Sequence, residues 1–339
     1  MGHARGAGRI DRRVLVGLGL ELKAYGIDPV AIGDRIDGDH GAGAGGDPTI
    51  SLSEFVGFLE TAGRSAPDPA AIWRCGRAYV GAGLPELFPR FGGGARLGDV
   101  LRGVIDAMNE LQSGSLFRLQ VRGSLALVEY RILDPSIWPR AFDVEFTFGF
   151  FDGLIRRYFR PDFAPDSLVF EHEPDRRRLS LDGSLGLSCV YGYARNILGF
   201  PAALLSMPIL GDWPAQVGGR TSRCDAPMSA GLAARLRDAI LLQIGEGEIN
   251  QERIAEAFGL SPRTFRRRLL QEGLCFREEM ERSRMEYARE MIVRTNLPVM
   301  ELALRLGYSQ QSDFTRAFRR AEGVPPSELR RSRPNGVNE

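Results

Sequence analysis

The strongest constraint on how this chain can fold is a pattern written twice in its last hundred residues. The first copy reads Ile254-Ala255-x-x-x-Gly259-x-Ser261-x-x-x-Phe265 and ends near Gly273. The second reads Leu302-Ala303-x-x-x-Gly307-x-Ser309, followed by Phe314, Phe318 and Gly323. Ala255 and Ala303 are 48 residues apart, and so are Ser261 and Ser309. In each copy a small alanine lets two helices approach closely, and glycine supplies a turn where a positive φ is cheap. Serine then caps the next helix by accepting an orphan backbone N–H, with Pro262 of the first copy at the first helical position. This is the grammar of a helix-turn-helix, twice over.

The helices that follow the serines carry their polar residues in a telling way. Arg263, Arg266, Arg267 and Arg268 surround the apolar Phe265 and Leu269. Gln310, Gln311, Ser312, Thr315, Arg316, Arg319 and Arg320 surround Phe314 and Phe318. Arginine can pair bidentately with guanine edges and glutamine with adenine in a DNA major groove, and arginines further along can neutralise phosphates. One such helix could equally be an ordinary solvated face. Two in register favour nucleic-acid recognition.

Between the copies, Phe276–Arg294 predicts one long helix. Glu278/Arg282 and Glu290/Arg294 stand at i,i+4, while Phe276, Met280, Met285, Ala288, Met291 and Ile292 can form its apolar stripe. Such a helix is about 28 Å long, comparable with one DNA turn of about 34 Å, so two heads could enter successive major grooves.

Composition narrows the remaining classes. The 339 residues suggest two domains, and 44 basic residues nearly balance 43 acidic ones, with Lys23 the sole lysine. The acidic excess lies before Ala230 and the basic excess after it. No stretch has the run of about 18 apolar residues of a spanning helix, so no membrane association is expected. Met1–Arg13 lacks an apolar signal region, so the protein is expected to be cytoplasmic. Cys75, Cys189, Cys224 and Cys275 lack C-x-x-C spacing, and His3, His40 and His172 are scattered. Neither a metal site nor a cofactor is expected, and no nucleophile–base spacing suggests an enzyme.

Gly and Pro punctuate the chain at Gly38–Pro48, at Phe91–Gly94 and at Gln216–Met228. The last is expected to be a linker, residues 216–228, between an α+β domain, 1–215, and an all-α domain, 229–335. In the first domain Ser51-x-x-Glu54 has capping-box spacing ahead of a helix. Leu97, Val100, Leu101, Val104, Met108 and Leu111 mark another. Leu116–Val121 and Ser124–Ile132, joined by Arg122-Gly123, predict a hairpin. Phe142–Tyr158 predicts a helix, although the alternation Phe146/Phe148/Phe150 also suits a strand. Leu168–His172 predicts a strand, followed by an arginine-rich loop at Arg176–Arg178.

Residues about 232–332 resemble the DNA-binding domain of the AraC/XylS family of bacterial transcription regulators. The resemblance is carried by Ala255-x-x-x-Gly259, Ser261-Pro262-Arg263-Thr264, Arg284-Met285 with Ala288, Gly307-Tyr308, Phe314 to Arg320, and Gly323-Val324-Pro325-Pro326. It implies base reading by Arg263, Arg266 and Arg267 in the first head and by Gln311, Ser312 and Arg316 in the second. Asp313 departs from the pattern, because it could accept from cytosine or repel phosphate.

The first 210 or so residues resemble the arabinose-binding-type sensor domain of the branch that includes ornithine-utilisation regulators. The matching residues are Tyr25-Gly26-Ile27-Asp28-Pro29, Leu97-Gly98-Asp99-Val100-Leu101, Phe170-x-His172-x-x-Pro174, Asn196-x-Leu198-x-Phe200 and Met207-Pro208-Ile209. Pro67-Asp68-Pro69 stands where Gly-Asp-Pro is usual.

This resemblance implies effector sensing or dimerisation, and no particular ligand. Phe146, Phe150 and His172 are candidate ligand contacts, weighed against core packing for the two phenylalanines and a structural role for the histidine between Glu171 and Glu173. The expectation is therefore a DNA-binding activator of transcription. It would respond to a small-molecule effector, act as a homodimer on double-stranded promoter DNA and engage RNA polymerase. The alternative is an effector-independent regulator whose first domain only dimerises.

Overall fold

The computed structural model describes residues 8–15, 17–29, 48–88, 91, 94–173, 176–211, 213 and 231–332, and the chain forms two compact units, Met1–Ala226 and Pro227–Glu339. The expected linker at 216–228 and most of the Gly38–Pro48 loop lie outside the described residues.

The first unit is α+β. Its helices are α1 (Leu18–Ala24), α2 (Leu52–Ser65), α3 (Ala71–Leu87), α4 (Leu97–Leu111), α5 (Ala141–Tyr158) and α6 (Arg176–Leu185). Strands β1 (Arg9–Asp11) and β2 (Thr49–Ser51) pair antiparallel. Strands β3 (Ser115–Arg122), β4 (Leu125–Ile132), β5 (Ser167–Val169), β6 (Cys189–Val190) and β7 (Asn196–Pro201) form a second sheet in the order β3-β4-β7-β5-β6, with only the β5–β6 pair parallel.

Local chemistry sets these elements. The Ser51 backbone N–H donates to Glu54 Oε2 at 3.3 Å and opens α2 as the capping box predicts. Along α4, Leu97, Val100, Leu101, Val104 and Leu111 are buried. The hairpin is present, but Arg122 pairs with Leu125, so its two-residue turn is Gly123-Ser124 rather than Arg122-Gly123. Register decides this, because a one-residue slip would move Ala126, Val128 and Tyr130 off the buried face.

The phenylalanine-rich segment is a helix, and its strand-like alternation carries no weight because α5 is buried on every side. Phe148, Phe150 and Phe151 are all in the core. Such a helix needs close neighbours. A Cβ added at Gly149 would lie 2.1 Å from the carbonyl oxygen of Trp73, and one at Gly76 would lie 2.1 Å from that of Phe146. Glycine on both sides is what brings α3 and α5 into contact. Asp152, fully buried on α5, accepts from Trp73 Nε1 at 3.1 Å, Arg77 Nε at 2.6 Å and Arg156 Nε at 2.8 Å, so this packing is also bridged by charge.

Two expectations are corrected here. The strand expected over Leu168–His172 is only Ser167–Val169, because Phe170 to His172 turn inward: Phe170 and His172 are buried and stack at 4.9 Å. The loop expected at Arg176–Arg178 is instead the first turn of α6.

The second unit is entirely helical among its described residues: α7 (Leu232–Gln243), α8 (Gln251–Ala257), α9 (Pro262–Gln271), α10 (Phe276–Arg294), α11 (Val299–Arg305), α12 (Gln311–Glu322) and α13 (Pro326–Arg331). The connecting helix α10 spans the residues that its sequence predicts. Met285, Ala288, Met291 and Ile292 are buried along it, while Phe276 and Met280 are half-buried. Glu290 and Arg294 pair at 2.8 Å, but Arg282 pairs with Glu279 at 2.9 Å rather than with Glu278. Glu279 is the buried one of the two, and a buried carboxylate draws the available cation. No helix among the described residues is long and apolar enough to cross a membrane.

Candidate nucleic-acid interface and internal cavity

The pairs α8–α9 and α11–α12 are the two helix-turn-helix units. Ala255 and Ala303 are fully buried where the helices meet. Gly259 and Gly307 take φ of 66° and 82° at the turns, a conformation that favours glycine. In the first unit Ser261 caps α9 by accepting from the Thr264 N–H at 3.3 Å, with Pro262 opening the helix.

In the second unit the expected cap does not form. Helix α12 begins one residue later, with Gln310 at the cap position and no side-chain cap bond. The reason is visible in the spacing: Ser261 to Ser309 is 48 residues, but Phe265 to Phe314 is 49. One extra residue lies between Ser309 and the first core phenylalanine, and no proline fixes the start of the helix.

Phe265 and Leu269 anchor α9, and Phe314, Ala317 and Phe318 anchor α12. Burying these residues turns the opposite faces outward. Arg263, Arg266, Arg267 and Arg268 are exposed and make no ion pair among the described residues. Gln311, Ser312, Arg316, Arg319 and Arg320 are exposed on α12. Arg316 is engaged, however, because Asp313 one turn back forms an ion pair with it.

A residue that the sequence reading passed over is Leu270, 81% exposed. It shares the outward face with Arg263, Arg266 and Arg267 at i, i+3, i+4 and i+7 spacing, which was the available signal. An exposed leucine there can meet a thymine methyl group.

The heads are fixed to the connecting helix. Tyr308, just after the Gly307 turn, donates to Glu281 of α10 at 3.0 Å, and the Arg284 guanidinium lies 5.5 Å from the Tyr308 ring centre. Burial, with Glu281 beside it, pushes the Tyr308 hydroxyl up to about 12. Arg289 of α10 reaches Glu322 at the end of α12 at 3.1 Å. In the first head, Arg235 of α7 stacks 4.7 Å from the Phe258 ring centre.

The first unit contains a cavity of about 60 Å³ that is partly open to the surface. Its walls are largely apolar and include Val14, Phe55, Tyr79, Phe88 and Phe117. From α5 come Asp143, Phe146, Thr147 and Phe150, at i, i+3, i+4 and i+7, so one helical face lines it. Gln112 adds a third polar side chain. Asp143 Oδ2 accepts from the Tyr130 hydroxyl at 2.6 Å, and Gln112 Nε2 donates to the same hydroxyl at 3.1 Å. Burial pushes the Asp143 carboxyl up to about 7, Glu60 and Glu171 push the same way, and the Tyr130 hydrogen bond and Arg140 oppose the rise.

Of the three candidate ligand contacts, Phe146 and Phe150 are thus brought to one cavity and His172 is not. His172 is buried between Phe170 and Tyr191. Its neighbour Glu171 is held bidentately by Arg140 at 2.7 and 2.8 Å and accepts from Asn196 at 3.0 Å. Asp143 and Thr147 were not anticipated, because polar residues inside a phenylalanine run look like helix punctuation until the fold shows what they face.

Two exposed cationic helices held by a third define a DNA-binding unit of transcription-regulator type. Residues 26–209 match the model described as the arabinose-binding domain of AraC transcription regulator, and residues 254–332 match a helix-turn-helix domain. The chain belongs to the AraC family of transcription regulators. It is 26% identical over 324 residues to the HTH-type transcriptional regulator VirS of Mycobacterium tuberculosis, a match covering 91% of this chain and 92% of that protein. It is 31% identical over 150 residues to the ornithine utilization regulator of Pseudomonas aeruginosa, 43% of this chain and 44% of that one. The crystal structure of the transcriptional regulator CdpR from Pseudomonas aeruginosa aligns over 92% of this chain and 97% of its own, with 18% identity and a TM-score of 0.37.

Proposed function

We propose that this DNA-binding regulator is a cytoplasmic, effector-responsive activator that reads promoter DNA with both heads. In this reading Arg263, Arg266 and Arg267 of α9 and Gln311, Ser312 and Arg316 of α12 meet base edges, while Arg319 and Arg320 hold phosphates. The observation that carries it is the paired arrangement: two outward cationic helices, each anchored by buried rings and tied through α10 or α7 into one unit. Residues 1–215 sense and dimerise, residues 216–228 link, and residues 229–335 bind DNA. Effector binding shifts the population of arrangements competent for DNA and RNA polymerase.

The cavity lined by Asp143, Thr147 and Gln112 among aromatic rings supports sensing over dimerisation alone, since a few converging polar groups in an apolar hollow are the mark of a small-molecule site. The test compares the full chain with a fragment from Ser229 on the DNA upstream of the regulated genes, by binding titration and by transcription in vitro. The account expects the fragment to bind more weakly, because linking two modules raises their effective concentration, and to lose any effector response. A fragment that still responds would remove sensing from the first unit.

A further inference from the structure

We infer that the cavity of the N-terminal unit receives a small organic cation, a protonated amine carried on an apolar or aromatic body, with the ammonium group at Asp143 and the body among the rings of Phe146 and Phe150. The assignment rests on the reading of this unit as an effector sensor and supplies the ligand class which that reading leaves open.

The walls limit which polar groups a ligand can carry. Each hydroxyl of a sugar needs a hydrogen-bond partner once it leaves water. This cavity offers few. Tyr79 lines it but donates its hydroxyl to the Val14 carbonyl at 2.7 Å, and Gln112 commits one amide N–H to Tyr130 at 3.1 Å. The polar capacity that remains is small: Asp143, Thr147 one turn along the same face, and the rest of the Gln112 amide. A polyol would leave hydroxyls dry, whereas a ligand with a single polar end matches the lining.

Charge selects that end. Asp143 is 1% exposed and makes no ion pair among the described residues; its carboxylate is tied through Oδ2 to Tyr130 alone. The cation that could neutralise it, Arg140, is committed to Glu171 by two hydrogen bonds. A second carboxylate acts on the same site: Glu60 of α2, which accepts from the Phe142 N–H at 2.8 Å, raises the proton affinity of Asp143. Glu60 is paired with Arg64 at 3.5 Å, so it is Asp143, with no ion pair among the described residues, that would repel an anionic ligand. An ammonium group supplies the missing charge, and aromatic faces nearby add cation–π attraction.

The groups acting on Asp143 are therefore Tyr130 and Gln112, Glu60, Arg140 and Glu171, and the net result is a carboxyl that titrates near neutrality. An amine stays protonated throughout that range, so its affinity should rise with pH as Asp143 ionises.

The experiment uses the full chain and three probes of nearly equal shape: 2-phenylethylamine, 2-phenylethanol and phenylacetate. Calorimetry and thermal shift at pH 7.5 should rank the amine at least tenfold tighter than the alcohol, with phenylacetate weakest. On the unmodified protein the amine should bind several-fold more weakly at pH 6 than at pH 8, while the alcohol stays constant. Asp143→Asn should bring the amine-to-alcohol ratio to about one, and the pH series stands without it should that variant fold poorly. Equal or tighter binding of the alcohol or of phenylacetate, or binding of none of the three, overturns the assignment. Promoter binding followed in the same titrations keeps the two readings apart. An amine that binds without altering DNA affinity would leave the ligand class intact and contradict sensing, whereas a DNA response to the alcohol alone would do the reverse.

Discussion

Asp313 and Arg316, one turn apart on α12, form an ion pair on the face of the second head where the matching helix α9 of the first head carries no carboxylate. Both side chains are substantially exposed, so the pair is worth little in stability. In the proposed reading its consequence is for DNA: Asp313 holds the Arg316 guanidinium in place beside the base edges and sets a negative charge near the phosphates.

Asp313→Ala should therefore remove one negative charge from the proposed interface. Binding to random duplex is expected to tighten several-fold, and the slope of log affinity against log salt to steepen by about 0.9, one phosphate contact. A filter-binding or anisotropy titration from 50 to 200 mM salt measures both. An unchanged affinity and slope would place the Asp313 carboxylate away from the phosphates.

The contact between α3 and α5 makes a separate prediction about stability. At Gly149 a methyl group would collide with the backbone carbonyl of Trp73, which cannot swing away as a side chain can. Gly149→Ala should cost about 1–3 kcal/mol or more, as overpacking of a tight core does. Denaturant unfolding of the N-terminal unit reads it, and a loss below about 0.5 kcal/mol would show the two helices can part cheaply.

Asp143 predicts a pH dependence with a definite sign. Burial pushes its carboxyl up to about 7 in the folded chain, far above the ordinary aspartate value of 3.8, so between those values the folded state holds a proton that the unfolded state has released. Its contribution to stability is therefore present at low pH and declines as pH rises toward 7, by up to about 1.4 kcal/mol per pH unit. Asp143→Asn should flatten that part of the stability curve. Parallel curves for the two proteins between pH 5 and 8 would mean Asp143 ionises as freely when folded as when unfolded.

Much of the DNA-binding unit was legible because its signals are local. Helix α10 follows from charge and apolar spacing, and the turns follow from Gly259 and Gly307. The misreadings are also local and have physical causes. Ser309 lost its capping role to one inserted residue, Arg282 chose the buried Glu279 over the exposed Glu278, and the hairpin turn moved by one position to keep Tyr130 inside. The cavity was not legible in this way. Gln112, Tyr130 and Asp143 come from the end of α4, from β4 and from α5, and only the tertiary fold joins them into one hydrogen-bonded chain. His172 misled for the same reason: its flanking carboxylate, Glu171, is claimed by Arg140, 31 residues away.

The central claim is that both heads read sequence, and the most direct measurement is a binding titration of the full chain with Arg266→Ala, Arg316→Ala and the double variant. It uses a promoter fragment and a scrambled duplex of equal length at one salt concentration. Each single substitution should cost about 1–3 kcal/mol on the promoter and much less on the scrambled duplex. The double variant should approach the sum, since the two side chains belong to separate helix-turn-helix units. If either substitution weakens both duplexes equally, that head only holds the backbone, and reading by two heads is contradicted.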